Sequence, residues 1–173
     1  MKKMVKVAAL FAAVALATAA FAEDFPEYLI VADKILWNYR NGLPAELVIP
    51  KGIVAIGEDA FKGCSNLKSV VIPDSVTSIG RDSFCGCGSL ASVTIGNGMT
   101  IINYKMFYGC GSLDSVTIPA TVTKIELGAF SYCPNLKDVK YTGTKAQWAK
   151  IIKNDIGISR FVVHCTDGDV FVR

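Results

Sequence analysis

Hydrophobic positions along this chain of 173 residues recur with a fixed period of 23. Phe61, Phe84, Phe107 and Phe130 form one column, and Cys64, Cys87, Cys110 and Cys133 form a second. Leu67, Leu90, Leu113 and Leu136 make a third, followed by Val70, Val93, Val116 and Val139. Ile72, Ile95 and Ile118 continue the register, with Tyr141 in the fourth copy. Ile53, Val76, Met99 and Val122, then Ile56, Ile79, Ile102 and Ile125, supply two more columns. A fixed period in this range marks stacked units that contact mainly their neighbours, each unable to bury its apolar face alone.

Within a unit the pattern changes from period two to a turn. Val70 and Ile72 alternate with Ser69 and Val71, which predicts a strand with the latter pair facing outward. Pro73 and Pro119 end that strand because proline cannot donate to the ladder. A second short strand is expected at Val76–Ile79. The stretch Asp82-Ser83-Phe84-Cys85-Gly86 is too short for a stable helix and is expected to form one helical or 3₁₀ turn. Gly63, Gly86 and Gly109 sit where a positive φ would bring the chain round. Tyr132 occupies that column in the last copy, so its corner is expected to differ.

The ends divide the chain further. Residues 1–22 read as a leader, 23–46 as an N-terminal cap, 47–141 as the repeats and 142–173 as a C-terminal cap. In the first cap, Tyr28 to Val31 and Ile35 to Tyr39 read as a hairpin. In the second, Thr144-Lys145-Ala146-Gln147 has the form of a capping box. Trp148, Ile151 and Ile152 give the helix after it one apolar face. Phe161 to Cys165 and Val170 to Val172, joined across Asp167-Gly168, form a closing hairpin.

The leader changes the charge argument. A basic head with Lys2, Lys3 and Lys6 precedes an apolar run from Val7 to Phe21, and Ala20-Phe21-Ala22 fits a secretory cleavage site. The run is short of the roughly 20 residues a membrane span needs, which favours a cleaved leader over an uncleaved anchor. The mature chain is expected to start near Glu23, exported to the periplasm, the cell surface or the medium, with no transmembrane segment. Those three lysines carry the whole formal excess of +3, so the remainder is neutral and has no basic run. Nucleic acid and anionic membranes are therefore poor partners.

Four of the six cysteines share one apolar column, which reads as buried packing by free thiols rather than as disulfides. Cys85 and Cys165 are the remaining candidates for exposed or paired thiols. Catalytic chemistry is sparse. His164, the only histidine, stands beside Cys165 in a predicted strand, where neighbours point to opposite faces and cannot act as nucleophile and base. Asp167-Gly168-Asp169 is explained by a hairpin turn more simply than by calcium, and no phosphate loop or dinucleotide fingerprint is present. No enzyme activity and no cofactor or metal is expected.

Segments such as IPDSVTSIGRDSFCGCGSL and IPATVTKIELGAFSYCPNL resemble the BspA-like leucine-rich repeats of bacterial surface proteins, over about residues 43 to 173. YTGTKAQWAKI and HCTDGDV resemble the tails of such arrays. The resemblance implies an α/β leucine-rich repeat fold: a right-handed, strand-rich solenoid with short helical turns, a parallel sheet along one side and hairpin-like caps. It also implies export and adhesion to host proteins or other cells.

Two surfaces are candidates for a partner, expected to be a host matrix or cell-surface protein. The outward strand positions give one row of Glu46, Ser69, Ser92, Ser115 and Asp138, and a second of Val48, Val71, Thr94, Thr117 and Lys140. These small side chains lack the aromatic and arginine anchors of interface hot spots and equally describe a solvated β surface. The third copy is irregular: Gly96-Asn97-Gly98 replaces the proline turn, and Tyr104, Met106 and Tyr108, with Tyr132 nearby, suggest an aromatic patch or simple repeat drift. The leading reading is an exported recognition protein. The alternative is a structural or assembly component of the envelope without a diffusible ligand.

Overall fold

The computed structural model describes residues 26–172 other than 28, 40, 41 and 159. The expected leader and cleavage site lie outside the described residues. The fold opens with an antiparallel hairpin of β1 (Leu29–Ala32) and β2 (Ile35–Tyr39). Each following turn supplies one longer and one two-residue strand. In order these are β3 (Glu46–Val48), β4 (Ala55–Ile56), β5 (Ser69–Ile72), β6 (Ser78–Ile79), β7 (Ser92–Ile95) and β8 (Ile101–Ile102). Then come β9 (Ser115–Ile118), β10 (Lys124–Ile125) and β11 (Asp138–Tyr141). Helix α1 (Lys145–Lys150), β12 (Ile152–Lys153) and a hairpin of β13 (Phe161–Cys165) and β14 (Gly168–Val172) follow.

The longer strands form one seven-stranded sheet in the order β14-β13-β11-β9-β7-β5-β3, parallel except for the final hairpin. The two-residue strands form ladders of their own, β4-β6, which the first hairpin extends as β1-β2-β4-β6, and β8-β10-β12. Ser69 pairs with Ser92, Ser92 with Ser115 and Ser115 with Asp138, so the 23-residue period is the sheet register. The result is a strand-rich solenoid with parallel sheets and little helix.

The apolar columns fill its interior. The rings of Phe61, Phe84, Phe107 and Phe130 stack with centroids 5.0 to 5.5 Å apart, and Tyr39 extends the stack by 5.8 Å onto Phe61. Offset stacking of this kind adds to the burial energy of each ring. The thiols of Cys87, Cys110 and Cys133 donate to the carbonyls of Phe61, Phe84 and Phe107 one turn back, at 3.0, 3.2 and 3.1 Å. All six cysteines are free. Burial pushes the Cys87 thiol up to about 12 and the Cys133 thiol to about 11, and raises Cys110 likewise. These groups are packing material.

The corners depart from expectation in two ways. Asp82 to Gly86 is a non-helical turn, because Asp82 (φ 53°) and Gly86 (φ 73°) are both left-handed and cannot propagate a right-handed helix. The same pair of left-handed positions recurs as Asp59 and Gly63, Lys105 and Gly109, and Gly128 and Tyr132. Tyr132, at φ 59°, therefore takes the glycine conformation of its sister copies, and its corner does not differ. A third difference lies at the helix end. The capping box forms as expected and Trp148 and Ile151 are buried, but Ile152 has left the helix for β12 and is 61% exposed. The irregular turn at Gly96 and Gly98 has a packing cause. A Cβ at either would come within 2.5 Å of the Pro73–Val76 backbone of the previous turn.

Candidate functional site

The outer face of the seven-stranded sheet carries both predicted rows. Ser69, Ser92 and Ser115 lie in register and half-buried, ending at the exposed Asp138. Val71, Thr94 and Thr117 lie in register beside them, continuing to Lys140. Val48 and Val71 are 66% and 38% exposed at the N-terminal end of that row. Small side chains leave this face smooth, with a shallow hollow beside Val71, Thr94 and Thr117 that Asp74 and Asn97 also line.

At the other end of the face stands His164. Its Nε2 lies 3.1 Å from Asp138 Oδ1 and its Nδ1 lies 3.0 Å from Asp169 Oδ1. Hydrogen bonds to Asp138 and then Asp169 raise its pKa above the ordinary imidazole value. This clasp joins β11, β13 and β14, and it occupies both ring nitrogens. Cys165 is a separate half-buried thiol whose pKa is raised, chiefly by burial, which removes thiolate character. Among the described residues no cluster of three or more histidine, cysteine, aspartate or glutamate side chains is placed to hold a metal ion.

The corners of the third and fourth copies form the second surface. Lys105 Nζ sits 5.1 Å from the Tyr104 ring centroid and 5.0 Å from that of Tyr108, a double cation–π arrangement. Tyr108 in turn meets Tyr132 at 5.0 Å with the rings tilted by 56°. The Tyr104 amide donates to Glu126 Oε2 at 3.2 Å, and Lys124 holds Glu126 from the other side at 2.9 Å. The Lys124 ammonium keeps the Glu126 carboxyl below its ordinary pKa. Tyr132 is 72% exposed.

Of the residues predicted for this patch, Tyr104, Tyr108 and Tyr132 are brought together, and Met106 is not. Met106 is fully buried because it occupies the core position immediately before Phe107. Lys105, which links two of the rings, was not among the predicted residues. Its signal lay in the 23-residue column Asp59, Asp82, Lys105, Gly128, which is left-handed in all four copies and carries a charged side chain in the first three.

The patch sits on conformations that ordinary side chains avoid. Lys105 (φ 49°) and Tyr132 (φ 59°) are both left-handed, a state that costs a side-chain-bearing residue about 1–2 kcal/mol. A Cβ at Gly109, the sister of Tyr132, would meet nothing closer than 3.7 Å. The space at such a corner accepts a side chain, so only φ disfavours one.

A family profile described as BspA type leucine rich repeat region matches residues 39–152 in six copies. The chain belongs to the BspA-type leucine-rich repeat family. No curated protein matches it. Among solved structures, a leucine rich cell surface protein from Faecalibacterium prausnitzii is 34% identical with a TM-score of 0.51, over 68% of this chain and 38% of that one. A leucine rich repeat protein of T. pallidum is 31% identical with a TM-score of 0.58, over 65% of this chain and 57% of the other. A leucine-rich repeat protein from Bacteroides capillosus is 32% identical with a TM-score of 0.56, over 63% and 86%. The repeat array thus spans 38% and 57% of the first two relatives' lengths. Among the described residues no helix is long and apolar enough to cross a membrane.

Proposed function

We propose that this BspA-type repeat protein is an exported, non-catalytic recognition protein that binds another protein through the side of its solenoid. In this reading residues 1–22 direct export, the mature body begins near Glu23, and the terminal hairpins shield the ends of the stacked core. The partner is a host matrix or cell-surface protein. The observation that carries the reading is the Tyr104, Lys105, Tyr108 and Tyr132 cluster, with two of its members held in left-handed conformations. Strain retained at an exposed position, where glycine would fit, is a mark of use rather than of folding. Tyrosine also dominates protein interfaces because it supplies a large rigid contact area with a polar tip. The serine and threonine rows of the sheet face, from Ser69 to Asp138 and from Val71 to Lys140, supply a flat polar surround.

The test is capture by the immobilised chain from host matrix and envelope extracts, quantified by mass spectrometry. Specific capture that is lost when Tyr104 and Tyr108 are both changed to alanine supports recognition at this corner. Equal capture by the unaltered and doubly altered chains overturns it. The second reading, a structural component of the envelope, draws on the flat sheet face, and it predicts self-association without specific capture.

A further inference from the structure

Among the described residues the sheet ends at β14, and the hydrogen-bonding phase of that edge can be worked out strand by strand. The Val162 amide donates to Lys137 O at 2.8 Å, so Val162, and His164 two residues on, point their backbone groups at β11. Phe161, Val163 and Cys165 must then point theirs at β14, where they face Val172, Val170 and Gly168. This leaves the amides and carbonyls of Asp169 and Phe171 directed away from the sheet. Among the described residues β14 has β13 as its single strand neighbour. Such a row of unpaired groups is a template for pairing with another strand.

The row is symmetric about Val170. An antiparallel copy of β14 laid against it places Asp169 opposite Phe171 of the copy and Phe171 opposite its Asp169. Both pairs are then of the hydrogen-bonded kind, giving four main-chain bonds about a twofold axis. The side chains agree with this arrangement. Phe171 stands on the outer face and is 72% exposed, above a hollow it shares with Val162 and Arg160. Twofold pairing brings the two Phe171 rings to diagonal positions on the same face, about 7–8 Å apart at the backbone and within reach of one another. The flanking Asp169 carboxylates are already engaged by the His164 of their own chains. The opposite edge strand, β3, has three residues against the five of β14, and it offers a shorter partner.

We propose that β14 is a self-association edge, through which two copies of this chain join their sheets antiparallel about Val170. A strand of five residues buries less than the roughly 1,000 Å² of a stable interface, so the dimer is weak and forms at high local concentration. This goes beyond binding at the tyrosine corner and does not depend on it.

Amide hydrogen exchange on the chain expressed from its full sequence, at rising protein concentration, tests the proposal. Exchange at Asp169 and Phe171 should be fast in dilute samples and slow as concentration rises, while Val170 and Val172 stay protected throughout. Sedimentation equilibrium on the same samples should show monomer and dimer and nothing larger. Phe171→Pro removes an outward amide that bonds nothing among the described residues, and Phe171→Lys places a charge on the edge; each should weaken the dimer by about tenfold or more. A circular dichroism spectrum like the parent's confirms that these variants fold. A chain that stays monomeric at about 0.5 mM with fast exchange at both amides overturns the proposal, given the weak association that an edge of this size supports. So does a dimer unchanged in Phe171→Lys, or growth into longer oligomers, which points to β14 meeting β3 head to tail.

Discussion

Phe130 and Tyr132 are two residues apart in the same turn, and they obey different rules. Phe130 is buried in a column where every copy carries the same residue, stacked 5.5 Å from Phe107. Tyr132 is 72% exposed in a column where its three sisters are glycine. In a stacked array a side chain that repeats is held by its equivalents above and below, so repetition is what packing rewards. A side chain that breaks the column at the surface receives no such support. The interior therefore reports the fold, and the departures on its rim are where recognition can be built.

The sharpest way to break this comparison is to open a hole in the column. Phe107→Ala, in the middle of the stack, should destabilise the chain by about 3–5 kcal/mol, read by urea denaturation, because its neighbours on both sides cannot close the cavity. A loss of less than about 1 kcal/mol would mean that the stack is loosely packed, since the removed ring is fully buried.

The buried thiols sharpen it in a second way. Their pKa values are raised from 9.0 in the folded chain, so the native state holds protons that the unfolded state releases. Their contribution to stability is complete below pH 9.0 and is lost as the pH rises toward about 12. A thermal midpoint that falls steeply above that lower value, together with slow labelling of Cys87, Cys110 and Cys133 relative to Cys85, is the expected result. Substituting Cys87, Cys110 and Cys133 by alanine should flatten the alkaline fall.

A smaller effect is expected at the His164 clasp. Its pKa is raised by Asp138 and Asp169, with Lys140 as its register neighbour on the same face. A raised histidine pKa stabilises the fold fully below the ordinary value of 6.5, and that support fades as the pH rises through the folded-state value. Amide protection factors in β13 and β14, with the base-catalysed intrinsic rate divided out, should therefore fall from mildly acidic to mildly alkaline buffer, and His164→Gln should remove that fall. Equal protection factors in both buffers would show that the clasp does not hold the hairpin.

The repeat architecture was legible in the sequence because packing acts at every copy, and seven columns carried the same message. The two-residue strands, the capping box of Thr144 and both terminal hairpins also followed from local patterns. The corners were read less well. Aspartate tolerates the left-handed region, so Asp59 and Asp82 hid a second left-handed column in plain polar residues. Met106 was misplaced on the surface because its neighbours Tyr104 and Tyr108 are there, whereas two successive positions, Met106 and Phe107, face inward at this corner. The β14 edge was not readable at all, because its open hydrogen-bonding groups depend on which strand lies beside it.

Tyr132→Gly tests the distinction between column and rim most directly. Relief of the left-handed tyrosine, about 1–2 kcal/mol, is offset by the greater chain entropy of glycine and the lost Tyr108 contact, so stability should change by no more than about 1 kcal/mol. Capture of the partner from host matrix or envelope extracts, measured on the same preparation, should nevertheless fall sharply. Capture equal to that of the parent chain, at an unchanged unfolding midpoint, would contradict the claim that the tyrosine corner is where this protein meets its partner.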